Sequence, residues 1–103
     1  MDFTKSLDTD QLDITHHPQE GRIEATLENQ TAKMFYDIRD DKMIMTGTRV
    51  PGTLTGMGVP HEMAHEALEY ARQEDLKVKI EDPFVKSFVS HHPEYHDIVT
   101  ALN

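Results

Sequence analysis

A change of hydrophobic period partway along the chain constrains the fold more than any other feature. Ile23, Ala25 and Leu27 alternate with Arg22, Glu24 and Thr26. Ala32, Met34, Tyr36 and Ile38 then alternate with Thr31, Lys33, Phe35 and Asp37. Beyond Pro60 the recurrence lengthens, and Met63, Ala64, Ala67, Leu68, Tyr70 and Ala71 return at helical spacing. Period two suits a strand with one buried face, whereas a period near 3.6 suits a helix with one buried stripe. Neither element type satisfies both patterns. The chain is therefore expected to lay amphipathic helices on a sheet.

Glu28-Asn29-Gln30 and Arg39-Asp40-Asp41 read as turns, and Met43 to Val50 as a third strand, which together make an antiparallel meander. Pro60 fits the first position of the helix, where a fixed φ helps and an N–H is not needed. Glu62, Glu66, Glu69, Arg72 and Gln73 form the polar side of that helix, which should end near Glu74-Asp75. Leu76-Lys77-Val78-Lys79-Ile80 alternates as a fourth strand. Asp82 is an N-cap candidate for a short helix to about Ser90. His92-Pro93 breaks that helix, and Pro93 is expected to begin a last one running to Leu102. Residues 1–20 have no sustained apolar period. They read either as a frayed end or, near Leu12-Asp13-Ile14-Thr15, as a short strand. The expected fold is a single α/β (α+β) domain over 1–103, ordered β-β-β-α-β-α-α, with a mainly antiparallel sheet.

Composition narrows the function classes. The absence of cysteine excludes disulfides, a thiolate nucleophile and thiolate-bound zinc. A net charge of −9 repels nucleic acid and anionic membranes, so neither is an expected partner. No apolar run has the length of a membrane span. Met1-Asp2-Phe3-Thr4-Lys5 lacks the layout of a targeting segment, and the expected location is cytoplasmic.

Between the two periodic regions lies Thr46-Gly47-Thr48-Arg49-Val50-Pro51-Gly52-Thr53-Leu54-Thr55-Gly56-Met57-Gly58-Val59-Pro60. Here a strand enters a glycine-punctuated loop that opens a helix. Such a layout presents backbone N–H groups and the positive end of the helix dipole, the usual means of holding pyrophosphate.

With Val50-Pro51, Gly56-Met57-Gly58-Val59, Ala67-Leu68-Glu69-Tyr70-Ala71-Arg72, Pro83-Phe84-Val85 and His92-Pro93-Glu94-Tyr95 in this order, the chain resembles the small stand-alone GNAT-like N-acetyltransferases from about Arg22 to Val99. The resemblance implies acetyl-CoA held between the third and fourth strands. Thr48, Arg49 and Val50 would border its pantetheine arm. Thr55, Gly56, Met57, Gly58, Val59, Pro60 and His61 would surround the pyrophosphate, and Pro83 and Phe84 would lie beside the cofactor. It further implies direct attack of a small-molecule or protein-bound amine on the thioester, with a backbone amide holding the oxyanion.

The chain departs from the family pattern at four positions. Gly47 stands for a histidine, Thr55 for an arginine or glutamine, Pro60 for a small N–H donor and Asp82 for a cysteine. Asp82 would then lie nearest the reacting centre, able to accept a proton from an ammonium group. Losing the donor at Pro60 and the cation at Thr55, with Glu62 added nearby, weakens anion binding. A non-catalytic binding module on the same fold is the competing reading.

His61-Glu62-Met63-Ala64-His65 also spells the HExxH pattern of zinc peptidases. It lacks a third ligand, position 71 being alanine, and it falls on the first turns of the helix assigned to phosphate. No resident metal is expected. His91, His92 and His96 form a second cluster, read as helix-break punctuation with solvated neighbours. Phe35 and Tyr36 lie on opposite strand faces, so one is core and the other fits a groove, consistent with a monomer or a weak dimer.

Overall fold

The computed structural model describes residues 12–56 and 58–101. Strands β1 (Asp13–His17), β2 (Arg22–Leu27), β3 (Gln30–Arg39) and β4 (Lys42–Arg49) are followed by a one-turn helix α1 (Gly52–Thr55). Helix α2 (Val59–Gln73), strand β5 (Lys77–Ile80), helix α3 (Pro83–Ser90) and strand β6 (Val99–Ala101) complete the order. The strands form one sheet in sequence order, antiparallel from β1 to β4 and parallel across β4, β5 and β6.

The meander follows the expected turns. Glu28 and Asn29 have φ of 53° and 70°, and Asp40 and Asp41 have 51° and 64°. Two successive left-handed residues match the right-handed twist of the flanking strands. One face of the sheet carries Ile23, Ala25, Leu27, Ala32, Met34, Tyr36, Met43, Met45, Val78 and Ile80, all buried. Met63, Ala64, Ala67, Leu68 and Ala71 of α2 and Val85, Phe88 and Val89 of α3 belong to the same core cluster. Tyr36 is thus the core member of the Phe35–Tyr36 pair, and Phe35 lies half-buried on the opposite face.

Three expectations are settled or changed. The open choice near residue 14 resolves as strand β1, which pairs with β2 from Asp13↔Thr26 to His17↔Arg22. The last helix does not form. Pro93–Tyr95 is a single 3-10 turn, and Val99–Ala101 adds to the sheet parallel to β5. The physical reason is the free edge of β5. Val78 N–H donates to Ile98 O at 2.8 Å, and the β-branched run Ile98-Val99-Thr100 suits a strand better than a helix. Leu102 lies outside the described residues. The start of α2 shifts by one, making Val59 its first residue and Pro60 its second.

Candidate functional site

The site begins where two parallel strands part. β4 and β5 pair from Lys42↔Lys77 to Met45↔Ile80. The Met45 carbonyl then accepts from Glu81 N–H at 2.9 Å and Asp82 N–H at 3.2 Å, and the second chain turns into α3. β4 runs on as Thr46–Arg49 with β3 as its sole strand partner among the described residues. The β3–β4 register shifts between Phe35 and Tyr36, leaving Thr46 as the extra residue of a bulge on β4 that restarts the alternation. Past it Thr48 pairs with Met34 on the helix side of the sheet, while Arg49 pairs with Lys33 on the other side. The result is a wedge bordered by an unpaired strand edge.

Asp82 lies across this wedge. Its Oδ2 accepts the Thr48 hydroxyl at 2.8 Å and Val85 N–H at 3.0 Å, the second contact being the expected N-cap of α3. Asp82 is 6% exposed, the single buried charged side chain among the described residues. Pro83 is exposed and Phe84 half-buried at the start of α3.

The loop ends at the head of α2. Gly58 takes φ +77°, with open space where a side chain would project. Glu62 N–H to Gly58 O, 3.1 Å, closes the first helical turn. The N–H groups of Gly58, Val59 and His61 precede that bond, and Pro60 contributes none. Val59 and Pro60 are buried, so their side chains anchor the helix start in the core. Backbone donors beside open space suit a diphosphate, although Glu62 is exposed on the same turn. Gly56 is exposed, and Thr55 ends α1. Met57 lies outside the described residues. Val50 packs half-buried against the core. Arg49 instead lines a cavity of about 520 Å³ with Thr31, Lys33, Val50 and Pro51. Thr48, Asp82 and the head of α2 therefore lie on the helix side, and Arg49 faces away from them.

The histidines are committed elsewhere. The His61 ring meets Phe84 and Phe88 edge-on, with centroids 5.4 and 5.6 Å away. Tyr95 donates its only hydroxyl proton to Glu69 Oε2 at 2.7 Å, so His65 must donate Nδ1–H to the Tyr95 oxygen at 2.8 Å. Burial and the Glu69 carboxylate raise the Tyr95 pKa, which keeps the phenol protonated. Among the described residues no cluster of three or more His, Asp and Glu side chains is arranged to hold a metal ion. His91 and His92 donate to the carbonyls of Ser87 and Phe88, and His96 bonds Val89 O. These contacts satisfy three successive end carbonyls of α3 rather than leaving His91 and His96 merely solvated. Sequence reasoning missed the Tyr95–Glu69–His65 network. Its one local signal was the four-residue spacing of His65 and Glu69, which puts both on one helix face.

A six-stranded mixed sheet with helices packed on one face, a parted pair of parallel strands and a loop opening a helix between them define an α+β domain with a wedge between β4 and β5. The sequence profile of the GCN5-related N-acetyl-transferase family matches residues 22–98, and the chain belongs to that family. The fold is similar to that of a GCN5-like protein of Staphylococcus aureus solved in solution by NMR. The TM-score is 0.71 at 25% identity, covering 90% of this chain and 92% of that one. No curated protein matches the chain. Among the described residues no helix is long and apolar enough to cross a membrane.

Proposed function

We propose that this protein transfers an acetyl group from acetyl-CoA directly to an amine. The observation that carries the reading is the parting of β4 from β5 after Met45, which leaves Thr46–Arg49 as a free edge ending in the loop before α2. Peptide groups on that edge would pair with the amide-bearing pantetheine arm. Thr48 and Val50 would border it, and Pro83 and Phe84 would face it from α3. Loop residues from Thr55 to His61 would surround the pyrophosphate, with the N–H groups of Gly58, Val59 and His61 as donors. Acetyl-CoA supplies the activated acyl group, and a backbone N–H would stabilise the charge developing on the acyl oxygen. The acceptor is a small-molecule or protein-bound amine, and the acting form is a monomer or weak dimer in the cytoplasm.

One observation favours a second reading, a binding module without catalysis. Pro60 occupies the second position of α2, where a typical helix offers another donor. Calorimetry with acetyl-CoA separates the two, followed by an assay of thiol release in the presence of amines. Binding with thiol release supports the transferase. No heat and no thermal shift at millimolar acetyl-CoA sinks it.

A further inference from the structure

We propose that the cavity lined by Thr31, Lys33, Arg49, Val50 and Pro51 binds a small organic phosphate monoester, with Lys33 and Arg49 holding the phosphate. It opens on the sheet face away from Thr48 and Asp82. The site goes beyond the transferase reading and stands whether or not that reading holds.

A bulge creates the site. Met43 and Met45 turn into the core, and unbroken alternation would turn Arg49 the same way. The extra residue at Thr46 reverses this and sets Arg49 directly opposite Lys33. Like charges directly opposite on paired strands repel, so the fold carries a cost here. The described residues offer no relief. Glu24 is the other strand partner of Lys33, but its carboxylate bonds Arg22 Nε at 2.6 Å. Arg22, Arg39 and Arg72 each pair with a carboxylate. Neither the Arg49 nor the Lys33 side chain has an ion pair or hydrogen bond among the described residues. In a chain of 19 acidic and 10 basic residues, two such cations face to face call for a ligand.

An anion removes the repulsion and gains from both charges at once. A phosphate monoester carries about −1.5 to −2 charge near pH 7 and offers several acceptor oxygens. That suits one ammonium group and one guanidinium fork, whereas a carboxylate would leave a positive charge over. Thr31 adds a hydroxyl. Its oxygen lies 3.0 Å from that of Thr26, so with Thr26 donating, the Thr31 proton is left for the ligand. Val50 and Pro51 give an apolar wall for the carbon attached to the phosphate. That wall is fixed in place. Leu54 N–H donates to Pro51 O at 2.9 Å, and the Thr53 hydroxyl donates to Gln30 Oε1, tying α1 to the first residue of β3. At about 520 Å³ the cavity has the size of a small-molecule site rather than of a single ion.

The test is titration of the full chain, read by the NMR amide signals of Lys33, Arg49 and Val50. Phenyl phosphate, inorganic phosphate and benzoate are the probes. Phenyl phosphate should give saturable shifts that weaken as salt is added, and should bind more tightly than either of the others. Lys33→Gln and Arg49→Gln should each weaken it roughly tenfold. Both residues are exposed, and each variant removes one member of a repelling pair, so the thermal midpoint should equal or exceed that of wild type. A lowered midpoint in both variants would show that the pair serves the fold, and would overturn the proposal. The absence of saturable shifts, equal binding by wild type and both variants, or equal binding of benzoate or inorganic phosphate would do the same. Displacement of phenyl phosphate by acetyl-CoA would assign the cavity to the cofactor's own phosphates, and tighter binding of a phosphoserine peptide would assign it to a protein. Either result overturns the proposal. Failure of acetyl-CoA to bind, with phenyl phosphate binding intact, would count against the transferase reading alone.

Discussion

Arg72 clamps Asp97 through two parallel bonds, Nη1 to Oδ2 at 2.9 Å and Nη2 to Oδ1 at 3.1 Å. The same guanidinium donates to Glu94 O at 2.7 Å and lies 5.7 Å from the centre of the Tyr95 ring. It thereby joins the end of α2 to the segment that leads into β6. Arg72→Lys loses the fork geometry. The amides of Val99 and Thr100 should then exchange hydrogen measurably faster while those of β2 and β3 stay protected. Hydrogen exchange read by NMR checks this. The Arg72 contact lowers the Asp97 pKa below its ordinary 3.8, so the clamp is fully present above 3.8 and fades as pH falls through the lower folded value. Both side chains are exposed, and salt should weaken the effect.

Gly21 cannot be replaced cheaply. It has φ +65°, and an added Cβ would lie 2.1 Å from the Tyr36 carbonyl oxygen. Gly21→Ala should therefore cost roughly 2–4 kcal/mol, through backbone strain and the displaced β2–β3 ladder. Gly56 has φ −86° and open space around it. Gly56→Ala should stay within about 0.5 kcal/mol of wild type. Urea midpoints for the two variants decide the contrast, and equal losses would contradict it.

His16 makes stability depend on pH. Its Nε2 bonds the Tyr36 hydroxyl, and its ring centroid lies 4.4 Å from that of Tyr70. Burial lowers the His16 pKa, with Glu66 opposing and His17 assisting. Burial and then Tyr70 push Tyr36 up to about 12, so the phenol stays protonated and can donate to the neutral imidazole. A depressed folded pKa favours the neutral ring. The stabilisation is complete above 6.5 and is lost as pH drops through the folded value. His16→Phe should flatten the thermal midpoint over that window. An unchanged slope would place the titration elsewhere.

Pro60→Ala restores an N–H at the second position of α2. A hydrogen bond to a charged group contributes about 1.5–3 kcal/mol, so acetyl-CoA should bind roughly tenfold tighter or better. Adding Thr55→Arg should tighten it further. Because Pro60 is buried, the alanine variant should also lose some thermal stability. Calorimetry of the single and double variants reads both effects. Unchanged affinity would remove the head of α2 from the cofactor path.

Much of the fold was legible because its signals are local. The alternation from Ile23 to Tyr36 dictated which side chains enter the core, and the paired turn residues dictated where the strands reverse. Ile38 continues the pattern at the end of β3 but is 45% exposed, beyond the reach of the helices. Asp82 was recognisable as a cap from its place before Pro83-Phe84-Val85. The final strand was not legible. His96-Asp97-Ile98-Val99-Thr100 is too short to fix a period, and Pro93 can open either a helix or a single turn. Its strand state depends on the free edge of β5 and on the Arg72 clamp, both supplied by residues distant in sequence. The direction of Arg49 was hidden for a similar reason, since the bulge at Thr46 resets which face each later residue takes.

By itself, then, the sequence determined the element types of the meander and of α2, the buried face, the acetyltransferase family and the loop that heads α2. Periodicity and capping carry that information within a few residues. Tertiary structure alone decided the parting of β4 and β5 and the parallel addition of β6. It also decided the meeting of Thr48 with Asp82, 34 residues apart. Such contacts arise from strand order and from competition for unpaired edges, which no local pattern encodes. The burial of Asp82 belongs to the same class, for a local cap signal says nothing of the Thr48 hydroxyl that meets the carboxylate from the neighbouring strand.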